Sequence, residues 1–241
     1  MKRNAPLMLA ALLTLPAVAS SEPREERITQ AFDLADGGSV DVSRIAGPVE
    51  IATGAAGKVD VDIVRSAPTP EDLACGAIVL EHSPTRVEIR TEDKCENVRG
   101  SQHVKLIVPR DADLNLRTIA GFVRVGATDG MLRLESIAGH VELTGVRQAR
   151  ISSIAGGLDL NVSGVGERGV RVSSVTGGID LEIPAGTDAE VEARSVAGHV
   201  QSDLPGLRLV EADDSGYRAV LGSGGPKIVL ESVMGTVKIH S

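Results

Sequence analysis

Apolar and polar positions alternate along this chain in one short phrase that keeps returning. It reads LRTIAGFVRV from Leu116, LESIAGHVEL from Leu134, ISSIAGGLDL from Ile151 and VSSVTGGIDL from Val172. Further copies are ARSVAGHVQS from Ala193 and LESVMGTVKI from Leu230, and a degenerate copy, VSRIAGPVEI, starts at Val42. The phrase glycines are Gly47, Gly121, Gly139, Gly156, Gly177, Gly198 and Gly235. From Gly121 onward they are 18, 17, 21, 21 and 37 residues apart. The last step equals about two periods with one copy eroded, and the 74 residues from Gly47 to Gly121 equal about four. Units this small cannot bury an apolar face alone, so the period predicts stacked copies sharing one core.

Each copy predicts a strand, a glycine corner, a second strand and a variable turn. Leu116, Leu134, Ile151, Val172 and Leu230 stand two positions before a Ser or Thr, with Ala193 in the sixth copy. A two-residue period points these and the Ser/Thr inward. The next residue, Ile119, Ile137, Ile154, Val175, Val196 or Val233, breaks the period, so the strand bends there. The glycine that follows supplies a backbone conformation that a β-carbon resists. The hydroxyl column of Thr118, Ser136, Ser153, Ser174, Ser195 and Ser232 reads as ties for corner backbone groups, and not as nucleophiles.

The ends and flanks carry other signals. Lys2 and Arg3, an apolar run from Ala5 to Val18 and Ala17-Val18-Ala19 predict a signal peptide cleaved after Ala19. Residues 20–37 read as a flexible lead-in and first strand, and 38–241 as the repeat domain. Pro70 to Cys75 forms a short helix capped by Thr69, with Glu71 and Asp72 in its first turn. Cys75 and Cys95 are the only cysteines, and in an exported chain they pair as a disulfide. The bridge staples the ends of a hairpin made from Ile78-Val79-Leu80 and Val87-Glu88-Ile89.

Composition narrows the function. Among 241 residues only Phe32, Phe122 and Tyr217 are aromatic, so the stacking platforms of many sugar and single-strand nucleic-acid binders are missing. The net charge is −8, and loss of residues 1–19 takes two lysine/arginine charges with it to give −10. Such a chain is a poor partner for nucleic acid or anionic membrane. The apolar run is too short, and too interrupted by Pro6 and Pro16, to span a bilayer.

The recurring S-[IV]-x-G-x-[VIL]-x-[LV], preceded by the HVKLIVP strand at His103 to Pro109, resembles the bacterial putative-adhesin β-strand-repeat family over residues 38–241. That resemblance implies a β-solenoid-like fold, an envelope or surface location and an adhesive or envelope-associated role. It brings no catalytic residues.

In-register stacking would set equivalent positions about 4.8 Å apart. Arg133, Arg150 and Arg171 then form one outward column, three residues before the Ser, suited to an anionic envelope polymer or an acidic protein surface. Glu142, Asp159 and Asp180 form another, six residues after it. A calcium ion would want six or more oxygens, and no aspartate-rich loop supplies them. Asp159 and Asp180 would also match the carboxylate spacing of a retaining glycosidase, as any two rungs do. His140 and His199 share one outward position but stand three coils apart, too far to bind one metal. No GxSxG, HExxH or nucleotide-loop pattern occurs.

The sequence thus predicts an all-β, single-domain β-solenoid of roughly 18–21-residue coils. It would be periplasmic or secreted, without catalysis, metal or cofactor, binding an envelope polymer or protein through a strand face. Two other readings stand beside it. One is a β-helix carbohydrate-processing hydrolase or lyase. The other is an assembly subunit that self-associates through an open end or edge strand.

Overall fold

The structure, a computed structural model, describes residues 24–96 and 99–241; the expected signal peptide lies outside them. Strands β1 (Arg24–Asp33), β2 (Ser39–Ala46), β3 (Val49–Thr53) and β4 (Lys58–Ala67) precede a short helix, α1 (Pro70–Cys75). After it come β5 (Gly76–Ser83), β6 (Arg86–Asp93) and β7 (Ser101–Val108). The clear copies of the phrase supply β8 (Asp113–Ala120), β9 (Val123–Val125), β10 (Thr128–Ala138), β11 (Val141–Ala155), β12 (Leu158–Val162), β13 (Val170–Thr176) and β14 (Ile179–Glu182). The chain finishes through β15 (Ala189–Ala197), β16 (Val200–Ser202), β17 (Leu207–Asp213), β18 (Gly216–Leu221), β19 (Lys227–Met234) and β20 (Val237–His240).

All of these strands join one hydrogen-bonded sheet that curls round a single core into a nearly closed, barrel-like shell. The all-β expectation holds, while a single curled sheet stands where discrete solenoid coils were expected. Hydrogen bonding does not stop at the corners. Gly121 N–H donates to Ala138 O at 2.9 Å and Val123 N–H to His140 O at 2.9 Å, so the ladder runs through the bend.

On one side of the shell the parallel order is β6-β2-β8-β10-β11-β13-β19-β15. On the other it is β7-β3-β9-β11-β12-β14-β20-β16. Strand β11 belongs to both, its first residues pairing with β9 and β12 and its last with β10 and β13. The inward row Val42, Leu116, Leu134, Ile151, Val172, Leu230 and Ala193 is fully buried, as alternation predicts. Each large member of such a row contributes about 1.5–3 kcal/mol by leaving water.

Both long steps between copies have a different cause from lost periods. Gly47's copy stacks directly on Gly121's, because β2 pairs with β8 and β3 with β9. The residues between them form flanking strands, with β4 antiparallel to β1 and β7, and β5 antiparallel to β6. At the other end, the last copy inserts between its two predecessors: β19 lies between β13 and β15, and β20 between β14 and β16. The supposed eroded copy is the antiparallel hairpin β17–β18, attached to the outer edge of β15.

The corners come in two kinds. In the early copies Arg44, Thr118, Ser136 and Ser153 have φ of 58, 55, 58 and 56°. That left-handed residue reverses the alternation, so Ile45, Ile119, Ile137 and Ile154 turn into the core and the hydroxyls of Thr118, Ser136 and Ser153 stay outside. In the later copies alternation continues unbroken. Ser174, Ser195 and Ser232 are buried there, and Val175, Val196 and Val233 are exposed. The inward hydroxyl column therefore exists only in the second half.

The corner glycines themselves form one file. A β-carbon on Gly121 would strike the Gly47 carbonyl, one on Gly139 that of Gly121, and so on through Gly156, Gly177 and Gly235. These five have φ between 105 and 154°. Gly198, at the end of the file, packs on Gly235 O without a left-handed φ.

At the amino-terminal flank, Arg24–Arg27 is strand rather than flexible lead-in, paired with β4 over its whole length. Thr69 Oγ1 accepts from Asp72 N–H at 3.1 Å and caps α1. The buried Arg65 guanidinium donates to the carbonyls of Leu73 and Gly76 and pairs with Glu26, locking the helix against β4. The Cys75–Cys95 disulfide closes the β5–β6 hairpin, with a Cα–Cα distance of 5.3 Å.

Candidate ligand-binding face

Pairing in register makes columns of the outward side chains. Arg133 stands opposite Arg150, and Arg150 opposite Arg171, on β10, β11 and β13. All three are exposed. They are not equivalent. Arg133 Nη1 lies 3.3 Å from both Asp113 Oδ2 and Asn115 Oδ1, whereas Arg150 and Arg171 have no ion-pair partner among the described residues. The flanking outward column runs Glu135, Ser152, Ser173, Glu231, so serines stand on the rungs of Arg150 and Arg171 and carboxylates on the rungs to either side. The result is a pair of uncompensated guanidinium groups with two hydroxyls next to them. At a rung of about 4.8 Å two such charges repel by about 1 kcal/mol in bulk-like water.

The acidic column lies on the other side of the shell. Glu142 stands opposite Asp159 and Asp159 opposite Asp180. Each carboxylate is already engaged. Arg124 Nε and Nη2 donate to Glu142 at 3.0 and 2.9 Å. His140 Nε2 lies 3.1 Å from Asp159 Oδ2, and His240 Nε2 lies 2.6 Å from Asp180 Oδ1. The side chains of Asp159 and Asp180 are 59% and 43% exposed. Among the described residues no three His, Cys, Asp or Glu side chains converge on a metal position.

The residue after each phrase glycine forms a third column, running Pro48, Phe122, His140, Gly157, Gly178, Thr236, His199. The inserted last copy places His199 four rungs from His140, one more than the sequence order implies. Phe122 and His140 stack with centroids 5.8 Å apart, and Arg124 covers the phenyl ring at 4.9 Å. Sequence reasoning missed this arrangement because it treated each of these side chains as solitary. It also missed a depression of about 350 Å³ around Ile107, Ala52, Asp60 and Lys105. The signal was present: Val104, Leu106 and Val108 alternate inward, which leaves Ile107 facing out.

No family model matches the chain, and no curated protein matches it in sequence. Its fold does match that of solved structures. A putative cell adhesion protein from Clostridium sporogenes shares it at a TM-score of 0.51 and 14% identity, over 91% of this chain and 99% of that one. A putative adhesin from Bacteroides fragilis aligns over 89% and 97% of the two chains, at 12% identity and a TM-score of 0.31. The resemblance to putative adhesins expected from the phrase is thus present at the level of fold. No helix among the described residues is long and apolar enough to cross a membrane.

Proposed function

We propose that this chain is an exported, non-catalytic adhesive module that binds an anionic envelope polymer along the Arg133, Arg150, Arg171 column. The signal peptide is cleaved after Ala19, and the module works in the periplasm or outside the cell. One observation carries the proposal: Arg150 and Arg171 are in register, exposed and unpaired, on a chain whose net charge is −8. An acidic protein that keeps unneutralised arginines on neighbouring rungs offers a line of cationic sites to a ligand with repeated acid groups. The disulfide and the fold shared with the Clostridium protein support the location and the adhesive class.

The test is retention of the purified protein on immobilised polygalacturonate, with neutral dextran as control. The parent chain binds the polyacid in a salt-sensitive way, and R133A/R150A/R171A loses most of that binding. Equal retention of parent and triple variant, or equal binding to dextran, overturns the proposal.

A further inference from the structure

Seven large apolar side chains are exposed among the described residues, and six of them lie at the carboxy-terminal end of the stack: Val175, Val196, Leu209, Val210, Val233 and Met234. Leu209 and Val210 belong to β17, which hydrogen-bonds only to β18 and leaves its other edge free. Other free edges are guarded. Strand β1 opens with Arg24, Glu25, Glu26 and Arg27, β16 is three residues long, and β5 ends in Glu81, His82 and Ser83. Charge, shortness and cover are the usual protections of a sheet edge; β17 is seven residues long, and its charges, Arg208, Glu211 and Asp213, are of both signs, so a strand of the same sequence can complement them.

The pairing of β17 with β18 contains an irregularity that decides what could cover it. Leu209 stands opposite Ala219 and Glu211 opposite Arg218, so Val210 is an extra, bulged residue. The bulge brings Arg208 and Glu211 onto the same face, Leu209 onto the opposite one, and leaves Leu207 and Ala212 sharing that second face.

From this geometry we infer that β17 pairs antiparallel with β17 of a second copy about a twofold axis through Leu209. With Val210 left out of this ladder as it is out of the one to β18, Leu209 meets Leu209 of the second copy, Arg208 meets its Glu211, and Leu207 meets its Ala212. Three apolar contacts and two ion pairs are satisfied by one self-complementary strand, as a closed twofold contact requires. Glu211 already lies 3.7 Å from Arg218 of its own chain and would sit between two guanidinium groups.

Sedimentation equilibrium on the purified protein tests this. The expected result is a monomer–dimer equilibrium whose dissociation constant rises at least tenfold in L209K. R208E and E211R each weaken the dimer, and the double variant R208E/E211R restores it. In L209C an intermolecular disulfide forms on mild oxidation, whereas V175C gives none. The β17 side chains changed here are exposed, and circular dichroism checks that each variant is folded. A protein that stays monomeric at its highest soluble concentration overturns the inference. So does a dimer indifferent to L209K, or a double variant no better than its singles. None of these substitutions touches the arginine column, so this proposal and the polymer-binding one fail separately.

Discussion

Ile154 stands opposite Ser174, although the repeated phrase aligns Ile154 with Val175. Between these two rungs the shell changes from one kind of corner to the other. Ser153, at φ 56°, turns Ile154 fully into the core, whereas Ser174 stays in extended alternation, points inward itself and leaves Val175 46% exposed. The same aligned column is therefore core in one half of the molecule and surface in the other.

Truncating this column has opposite consequences in the two halves. I137A and I154A each remove a fully buried branched side chain and should cost about 2–5 kcal/mol. V175A and V233A should change stability by less than about 0.5 kcal/mol. Urea unfolding of the four variants measures the difference, and equal losses across the set would contradict the two-corner description.

The phrase made most of this shell readable. The inward row from Val42 to Leu230, the corner glycines, the capped helix and the disulfide all follow from local alternation, a φ requirement or a pair of cysteines. Three things did not. The order of copies in space was hidden because β19 inserts by pairing, and a strand with two suitable parallel neighbours carries no local mark of which ones it chooses. The hairpin β17–β18 was hidden by the assumption that spacing implies copies. The corner type was legible but unread: the inward corners carry Ile45, Ile119, Ile137 and Ile154, and the outward ones Val175, Val196 and Val233. At the arginine column the sequence gives the alignment of residues, while the neutralisation of Arg133 by Asp113 depends on the β8–β10 pairing.

The glycine file predicts a steep penalty for a single methyl group. In G139A or G156A the new β-carbon would overlap the carbonyl of the preceding corner glycine, at a φ of 147 or 145°. Strain and overlap together should cost about 3 kcal/mol or more. G164A meets nothing at its β-carbon, so of the two penalties it carries only the strained φ of 135°. Thermal unfolding should rank G139A and G156A well below G164A. A corner variant as stable as G164A would mean that the file does not hold the shell together.

The disulfide acts on one flank only. It closes a loop of 20 residues round the β5–β6 hairpin, and its removal in C75S/C95S should cost about 3 kcal/mol, felt at the amino-terminal end. Amide exchange should rise in residues 76–93 and leave β12, β14 and β20 protected. Uniform loss of protection would show that the flank and the shell unfold as one unit.

Acid should loosen β1 before the rest. Arg27 hydrogen-bonds Asp62 at 2.8 and 2.6 Å across β1 and β4, and that guanidinium holds the Asp62 carboxyl below the usual carboxylate range. A group whose folded pKa is depressed stabilises the fold above its unfolded value, and the contribution fades as pH falls through the folded one. The pair is solvent-exposed, so the effect belongs to the strand and not to global stability. In D62N the amides of residues 24–33 should exchange faster at neutral pH, and acidification through the carboxylate range should change them less than in the parent. If β1 exchange in the parent is flat as the pH drops below the ordinary aspartate value, Arg27 and Asp62 are not what fastens the strand.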